Sequence, residues 1–189
     1  MTGSGGPEGR PACVDPDWLC AVALWVCGYS TVAQLTEASL AWLPTAPDSD
    51  ALYHLADDAL SGATRCEDVL AWVDGVFTVC GLPKPSPLDF RWITTRRMVQ
   101  REWAPDDTVD LIRFLSSLAF TADMDGDAEV WNLLSRYRYY DFAMDDDVEL
   151  DMAQILDGFR SDTRPALLRL FTRHFEAIPD AGWVLDVFQ

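Results

Sequence analysis

The chain has 189 residues, with 31 acidic and 14 basic side chains, and its formal net charge is −17. A surface of this sign repels phosphate backbones and anionic headgroups, which excludes direct nucleic-acid binding and membrane-surface binding as predicted functions. It favours a basic protein partner or a cation, because opposite potentials steer encounter. Hydrophobic residues make up 49% of the chain, enough to build a core.

The first segment, residues 1–14, is rich in Gly and Pro, and we predict a flexible tail rather than a signal peptide. Residues 15–189 are predicted to form a single helical domain. The five cysteines include no C-x-x-C pair, so we interpret them as reduced and expect a cytoplasmic protein. The longest apolar run, residues 18–27, is too short for a membrane span, which needs about 20 residues.

Helix-start signals are clear at the beginning of the predicted domain. Asp15 is predicted to cap a first helix that starts at Pro16. This helix is apolar on nearly all sides and should therefore lie in the core. Thr31 and Gln34 form a capping-box pattern for the second helix.

The fourth predicted helix has the most regular spacing of the chain. Apolar residues recur through residues 66–80 in helical steps, with Val73 and Phe77 at the centre of the stripe, so both should be buried. A Pro-rich connector, residues 82–87, follows this helix and should be extended and stiff. If the domain consists of two halves, we expect them to meet at this connector.

A band of positive charge follows the connector. Between residues 84 and 101, Asp89 is the one acid among five cations: Lys84, Arg91, Arg96, Arg97 and Arg101. We expect this band to pack against an acidic face of the same molecule, and the alternative is an anion site or a second partner surface. A helix fits the segment, with a short strand at residues 91–95 as the alternative because β-branched residues and Trp favour strands.

The second half is also predicted to be helical. Pro105 opens a sixth helix, and a seventh starts at about Asp127. An eighth helix is opened by the acidic cluster at residues 145–147, and a ninth runs from about Asp162 to Pro179. The predicted fold class is all-α, a compact bundle of eight or nine short helices with at most one minor strand pair.

The acidic segment between residues 123 and 151 holds ten acidic side chains and two arginines. Its first cluster consists of Asp123, Asp125, Asp127 and Glu129. Their spacing imitates positions 1, 3, 5 and 7 of a calcium-binding loop, so a divalent cation is the one cofactor to consider. The chain has Ala128 and Leu134 where that loop needs Gly and a bidentate Glu, so we predict no bound cofactor and expect these acids to cap the next helix.

A second hypothesis for a cation site rests on paired aspartates. Asp147 and Asp151 are one helical turn apart and could hold a magnesium ion together with acids of another helix, such as Asp106 and Asp110. A divalent-metal-dependent enzyme that uses paired aspartates on two helices is therefore the alternative function. The simpler interpretation of this cluster is a solvated, acidic helix start.

Other catalytic patterns are missing from the sequence. It contains no Gly-rich phosphate-binding motif and no zinc-binding histidine pair. His54 and His174 each lie near apolar positions of predicted helices, and we interpret both as structural. No catalytic residue is predicted.

Aromatic side chains lie between the two acidic clusters of residues 123–151. Rigid aromatic anchors with a charged rim are typical of protein interfaces. The residues predicted to bind a partner are Trp131, Tyr137, Tyr139, Tyr140, Asp145, Asp146, Asp147, Glu149 and Asp151. The leading hypothesis is a non-enzymatic acidic protein that binds and inhibits a basic protein partner, as an immunity protein or antitoxin does.

Overall fold

The computed structural model describes residues 14–57, 65–146 and 148–189. Within these ranges the regular structure is helical and contains no strand, which confirms the all-α prediction. The helices in chain order are α1 (Pro16–Val26), α2 (Val32–Trp42), α3 (Asp50–Leu55), α4 (Cys66–Val79), α5 (Pro87–Gln100), α6 (Thr108–Asp125), α7 (Ala128–Asp145), α8 (Met152–Gly158), α9 (Arg164–Glu176) and α10 (Trp183–Val187).

Two compact units make up the described chain. Unit 1 contains the residues up to Thr95 together with Phe171–Gln189, and unit 2 contains Arg96–Leu170. The division falls inside α5 and α9, while the Pro-rich connector at residues 82–87 lies within unit 1. Residues 1–13 of the predicted tail lie outside the described residues. Its last residue, Val14, is buried in the core of unit 1.

Local capping explains where the helices of unit 1 begin. Asp15 accepts hydrogen bonds from the backbone N–H groups of Asp17 and Trp18, as expected for the predicted cap of α1. At the start of α5, the Ser86 N–H donates to Asp89 Oδ2 at 2.7 Å and the Asp89 N–H donates to Ser86 Oγ at 3.2 Å. This reciprocal pair satisfies two backbone donors at the helix start, which fixes where α5 begins.

The core of unit 1 is built around aromatic rings. Trp18 is fully buried, and its Nε1 donates to Ser39 Oγ at 3.1 Å. The ring of Phe77 lies 5.6 Å from the ring of Trp18, and Val73 is fully buried on the same stripe of α4. The predicted phase of α4 is therefore confirmed at its centre, although Cys66, at the first position of the stripe, is exposed.

Two boundaries in unit 2 differ from their predictions. The eighth helix begins at Met152 and not at the acidic cluster of residues 145–147, because Asp151 Oδ1 accepts the Gln154 N–H at 3.0 Å and caps α8. The ninth helix has no separate start, since a π-helical turn, Phe159–Thr163, connects α8 directly to α9. Residues 91–95, for which a strand was the alternative, lie within α5.

Candidate functional site

The first acidic cluster lies at the turn of a helical hairpin in unit 2. Gly126 ends α6 in the left-handed conformation with φ 74°, and the Asp127 N–H donates to the Ala122 carbonyl at 2.8 Å. This is the Schellman geometry that glycine permits. The Asp127 side chain then accepts the Val130 N–H at 3.1 Å and begins α7. With so short a connection, α6 and α7 pack side by side as an antiparallel pair.

The structure does not assemble the predicted calcium-like acids into a cation site. Asp123 and Asp125 belong to the last turn of α6, where residues two apart point in different directions. Asp127 caps α7 as expected, and Glu129 lies in the first turn of that helix. In the described ranges, no group of three or more His, Cys, Asp or Glu side chains is arranged to hold a metal ion.

The paired-aspartate hypothesis involves one residue outside the described ranges, Asp147. Its partner in the pair, Asp151, is the N-cap of α8. Of the acids proposed on the other helix, Asp106 lies in a 3-10 turn and Asp110 in the first turn of α6. Asp151 therefore stabilises the start of α8 as a cap, and Asp110 stabilises the start of α6 through the helix dipole.

An aromatic cluster on the hairpin is organised by one arginine. The guanidinium carbon of Arg138 lies 5.2 Å from the ring centre of Phe120, 5.7 Å from that of Trp131 and 5.5 Å from that of Phe142. Phe120 is on α6 and the other three residues are on α7, so the cluster spans both helices. Phe120 and Phe142 remain 52% and 57% exposed, and Met124 on α6 is also exposed.

A row of tyrosines connects the surface of α7 to the interior of unit 2. The ring centres of Tyr139 and Tyr140 are 6.2 Å apart, and those of Tyr140 and Tyr137 are 5.8 Å apart, both in edge-on contacts. Tyr139 is 67% exposed, whereas Tyr137 is only 1% exposed. Two of the three predicted tyrosines therefore remain on the surface or at its edge.

Tyr137 has to be removed from the predicted partner-binding residues. Its hydroxyl forms a 2.9 Å hydrogen bond with Thr163 Oγ1 in the π-helical turn, and Arg136 donates to the same oxygen. Burial raises the pKa of the Tyr137 phenol above its ordinary value of 10.0. The helical spacing of Val130, Leu134 and Tyr137, all buried, was the signal in the sequence that could have identified this residue as core.

Exposed acids lie at both ends of α7. One group, the turn acids, surrounds the α6–α7 turn and consists of Asp123, Asp125, Asp127 and Glu129. The other group, the C-terminal acids, consists of Asp145, Asp146, Glu149 and Asp151. The two groups lie at opposite ends of α7, whose 18 residues span about 27 Å. The aromatic cluster lies between them along α7.

A partly buried polar pair in unit 1 was not predicted from the sequence. His174 Nε2 lies 2.7 Å from Asp89 Oδ1, and the imidazole stacks on Trp92 with 5.7 Å between the ring centres. The pair connects α9 with the start of α5, where Asp89 also accepts the Ser86 N–H. These contacts agree with a structural role for His174. His54, the other histidine, stacks on Trp72.

Lys84 and Arg101 of the basic band each form an ion pair within the described residues. Lys84 pairs with Asp74 in unit 1, and Arg101 pairs with Asp107 in unit 2. The guanidinium of Arg101 also lies 4.5 Å from the ring centre of Trp103. For these two cations, the expected packing against acids of the same chain is observed.

No protein-family model matches the sequence, and neither a curated protein nor a solved structure matches the chain. Within the described residues, no helix is long and apolar enough to cross a membrane.

Proposed function

We propose that this is a non-enzymatic binding protein whose acidic surface, between residues 123 and 151, binds a basic protein partner. We further propose that binding inhibits the partner, in the manner of an immunity protein or an antitoxin. One observation supports this proposal above the others. Asp123, Asp145 and Asp146 are exposed acids at helix ends where they oppose the helix dipole, so helix stability does not account for them.

These acids lie at the C-terminal ends of the hairpin helices. Asp123 is in the last turn of α6, Asp145 is the last residue of α7, and Asp146 is its C-cap. The C-terminal end of a helix carries a partial negative charge, which favours cations and disfavours carboxylates by about 0.3–1 kcal/mol each. Neither helix has a basic residue in its last turn. A cationic partner would relieve this repulsion on binding.

The exposed aromatic residues point to a protein partner rather than to a small cation. Phe142 and Tyr139 lie on α7 between the two acidic groups, and more than half of each side chain is exposed. Such rings contribute large apolar contact areas with little loss of conformational entropy, as in binding hot spots. An isolated metal ion would use none of this apolar area. A folded protein or a peptide segment would use both the rings and the charges.

Inhibition follows from the kind of surface that would be covered. Proteins that act on nucleic acids bind phosphates through clusters of Lys and Arg. A chain with a net charge of −17 and carboxylates at two sites about 27 Å apart can occupy such a cluster and exclude the nucleic acid. An enzyme that cleaves nucleic acids is therefore the class of partner that this surface fits best.

Affinity capture with a matched set of variants tests the proposal. Wild-type protein should retain a basic protein from the source cell at about 0.15 M salt and release it near 1 M, where the Debye length falls to about 3 Å. Reversal of both Asp145 and Asp146 to Lys should reduce the association rate of that protein by at least about tenfold.

Glu176→Lys with Asp180→Lys is the matched control. It makes the same change in net charge at exposed acids of unit 1 and should leave the association rate nearly unchanged. The proposal would be contradicted if partner binding were unchanged by salt and by the charge reversal at residues 145 and 146. The captured protein, once purified, should also lose its activity in the presence of the wild-type chain.

A further inference from the structure

The exposed face of the hairpin carries a specific order of side chains. Along α7, Trp131, Arg138 and Phe142 are separated by seven and four residues, so they lie on one face of the helix. Phe120 of α6 joins this face through its contact with Arg138. The turn acids and the C-terminal acids lie towards the two ends of α7, with this aromatic cluster between them along the helix.

We infer that this face binds an amphipathic helix of the partner that has an apolar centre and basic residues at both ends. This inference rests on the proposed function and specifies the element of the partner that is recognised. The distance between the acidic groups, about 27 Å, equals about 18 residues of a helix. Basic residues about five turns apart would therefore reach both the turn acids and the C-terminal acids.

A helix fits this surface better than an extended segment. An extended segment gains most of its affinity when it adds a strand to an exposed sheet edge. The described part of the chain contains no strand and offers no such edge. Two packed helices instead present a groove and ridges into which side chains of a third helix can insert.

Arg138 restricts the charge at the centre of the partner helix. Its guanidinium lies among the three rings of the cluster, so a Lys or Arg brought to the same place would meet a like charge. Apolar side chains meet no such repulsion and can pack on Phe120 and Phe142. The face thus selects cations at the ends of the partner helix and rejects them at its middle.

A second copy of the chain is a poor occupant of the same face. In a two-fold dimer with parallel or antiparallel α7 helices, the acidic groups of one copy would lie over acidic groups of the other copy. Each chain already carries a net charge of −17, so this contact would bring like charges together. A basic partner helix avoids that repulsion.

Three synthetic peptides of about 20 residues, long enough to span α7, test the inference on the full chain. The first peptide has a Leu-rich centre and Lys at both ends. The second has the same composition with the Lys residues moved to the centre, and the third replaces the terminal Lys residues with Glu. Affinities are measured by titration at low and high salt, and peptide helicity by circular dichroism.

The first peptide should bind at least about tenfold more tightly than the second, a difference equal to one strong interface residue. Its helicity should rise on binding, and the third peptide should not bind. Changing both Phe120 and Phe142 to Ser should reduce affinity for the first peptide by about tenfold or more. The control, Tyr53→Ser with Val79→Ser, changes exposed apolar residues of unit 1 and should leave this affinity unchanged.

The experimental outcomes that would contradict this inference differ from those that would contradict the proposed function. Equal affinity for the first two peptides, or binding without a gain of helicity, would overturn the inference and leave charge-driven partner binding intact. A dimer that is lost in the Phe142→Ser variant would show that a second copy occupies the face, which also overturns the inference. If neither Lys peptide binds at low salt, or if reversing Asp145 and Asp146 changes nothing, the proposed function fails as well.

Discussion

The aromatic residues of unit 1 and those of the α6–α7 hairpin have opposite environments. In unit 1, Trp18 and Phe77 are fully buried, and each contacts further aromatic rings. On the hairpin, Phe120 and Phe142 are more than half exposed and contact a guanidinium. The buried rings lie on helices whose inner faces are apolar, whereas the exposed rings lie between groups of acids. Flanking charge distinguishes the two environments, and aromatic content alone does not.

The largest expected effect is the difference in stability between two Phe→Ala variants, one from each environment. Phe77→Ala should lower the free energy of unfolding by about 3–5 kcal/mol, because it leaves a cavity among packed rings. Phe142→Ala should lower it by about 1 kcal/mol or less, since the ring is exposed and loses mainly its contact with Arg138. Urea denaturation of both variants measures the difference. Equal losses would show that the hairpin cluster is a structural core.

Two glycines provide a second comparison between the units. In unit 1, a Cβ on Gly75 of α4 would lie 2.8 Å from the Cβ of Ala51 of α3, so Gly75→Ala should destabilise the protein by about 1–3 kcal/mol through overpacking. In unit 2, a Cβ on Gly158 of α8 would meet no atom within 4 Å. Gly158→Ala should therefore stabilise the protein by about 0.4–1 kcal/mol, because the unfolded chain loses freedom.

A compensating change tests the cause of the Gly75 effect. Ala51→Gly removes the atom that the new methyl group would meet, so the double variant should recover part of the lost stability. Thermal unfolding of the single and double variants is sufficient for this test. Strictly additive losses in the double variant would contradict the steric explanation.

The tyrosine row makes a third comparison, between a buried and an exposed phenol. Tyr137→Phe should lower the free energy of unfolding by about 1 kcal/mol, because it removes the hydrogen bond to Thr163. Tyr139→Phe, at the exposed end of the row, should be nearly neutral. Urea denaturation at neutral pH measures both changes. A larger loss for Tyr139→Phe would reverse the assignment of core and surface on α7.

The same comparison extends to alkaline pH. Burial raises the pKa of Tyr137 above 10.0, so above that pH the unfolded chain loses this proton more readily than the folded chain. The stabilisation from a buried neutral phenol is complete below pH 10 and declines as the pH rises towards the folded pKa. Burial also raises the pKa of Cys27, in unit 1, above 9.0, so its contribution declines from a lower pH. Across pH 8–11, the unfolding midpoint of Tyr137→Phe should lack the decline caused by Tyr137. That of Cys27→Ala should lack the decline caused by Cys27.

Much of the fold could be predicted because its causes are local. The cap at Asp15 and the apolar stripe through Val73 and Phe77 each depend on a few neighbouring residues. The start of α8 was misplaced because the run of acids offers several possible caps, and the structure uses Asp151. Which acid caps the helix depends on how the following helix packs, and the local sequence does not encode that.

The candidate site was predictable only in part, for a related reason. The spacing of Trp131, Arg138 and Phe142 along one helix places them on one face, and this can be deduced from the sequence. The contribution of Phe120 depends on the register between α6 and α7, and the pairing of Asp89 with His174 connects residues far apart in the chain. Contacts of this kind become visible only when the packing of the helices is known.

The smallest expected effects are those of single Asp→Ala changes in unit 2. They distinguish acids that stabilise the fold from acids proposed to bind a partner. Asp127 and Asp151 cap helices through their side chains, so Asp127→Ala and Asp151→Ala should each lower the free energy of unfolding by about 0.5–2 kcal/mol. Asp145 and Asp146 end α7 and oppose its dipole, so replacing either with Ala should raise the free energy of unfolding by about 0.3–1 kcal/mol. Chemical denaturation at low salt measures all four variants.

Raising the salt concentration distinguishes the two groups further. Screening should remove the small gain at Asp145 and Asp146, because it arises from charge alone, and should leave the loss at the two caps, which comes from hydrogen bonds. If Asp145→Ala or Asp146→Ala instead destabilises the protein by as much as a lost cap does, these acids are structural. The strongest support for a partner-binding role of the C-terminal acids would then disappear. If stability is unchanged, any loss of partner binding in these variants can be assigned to the interface itself.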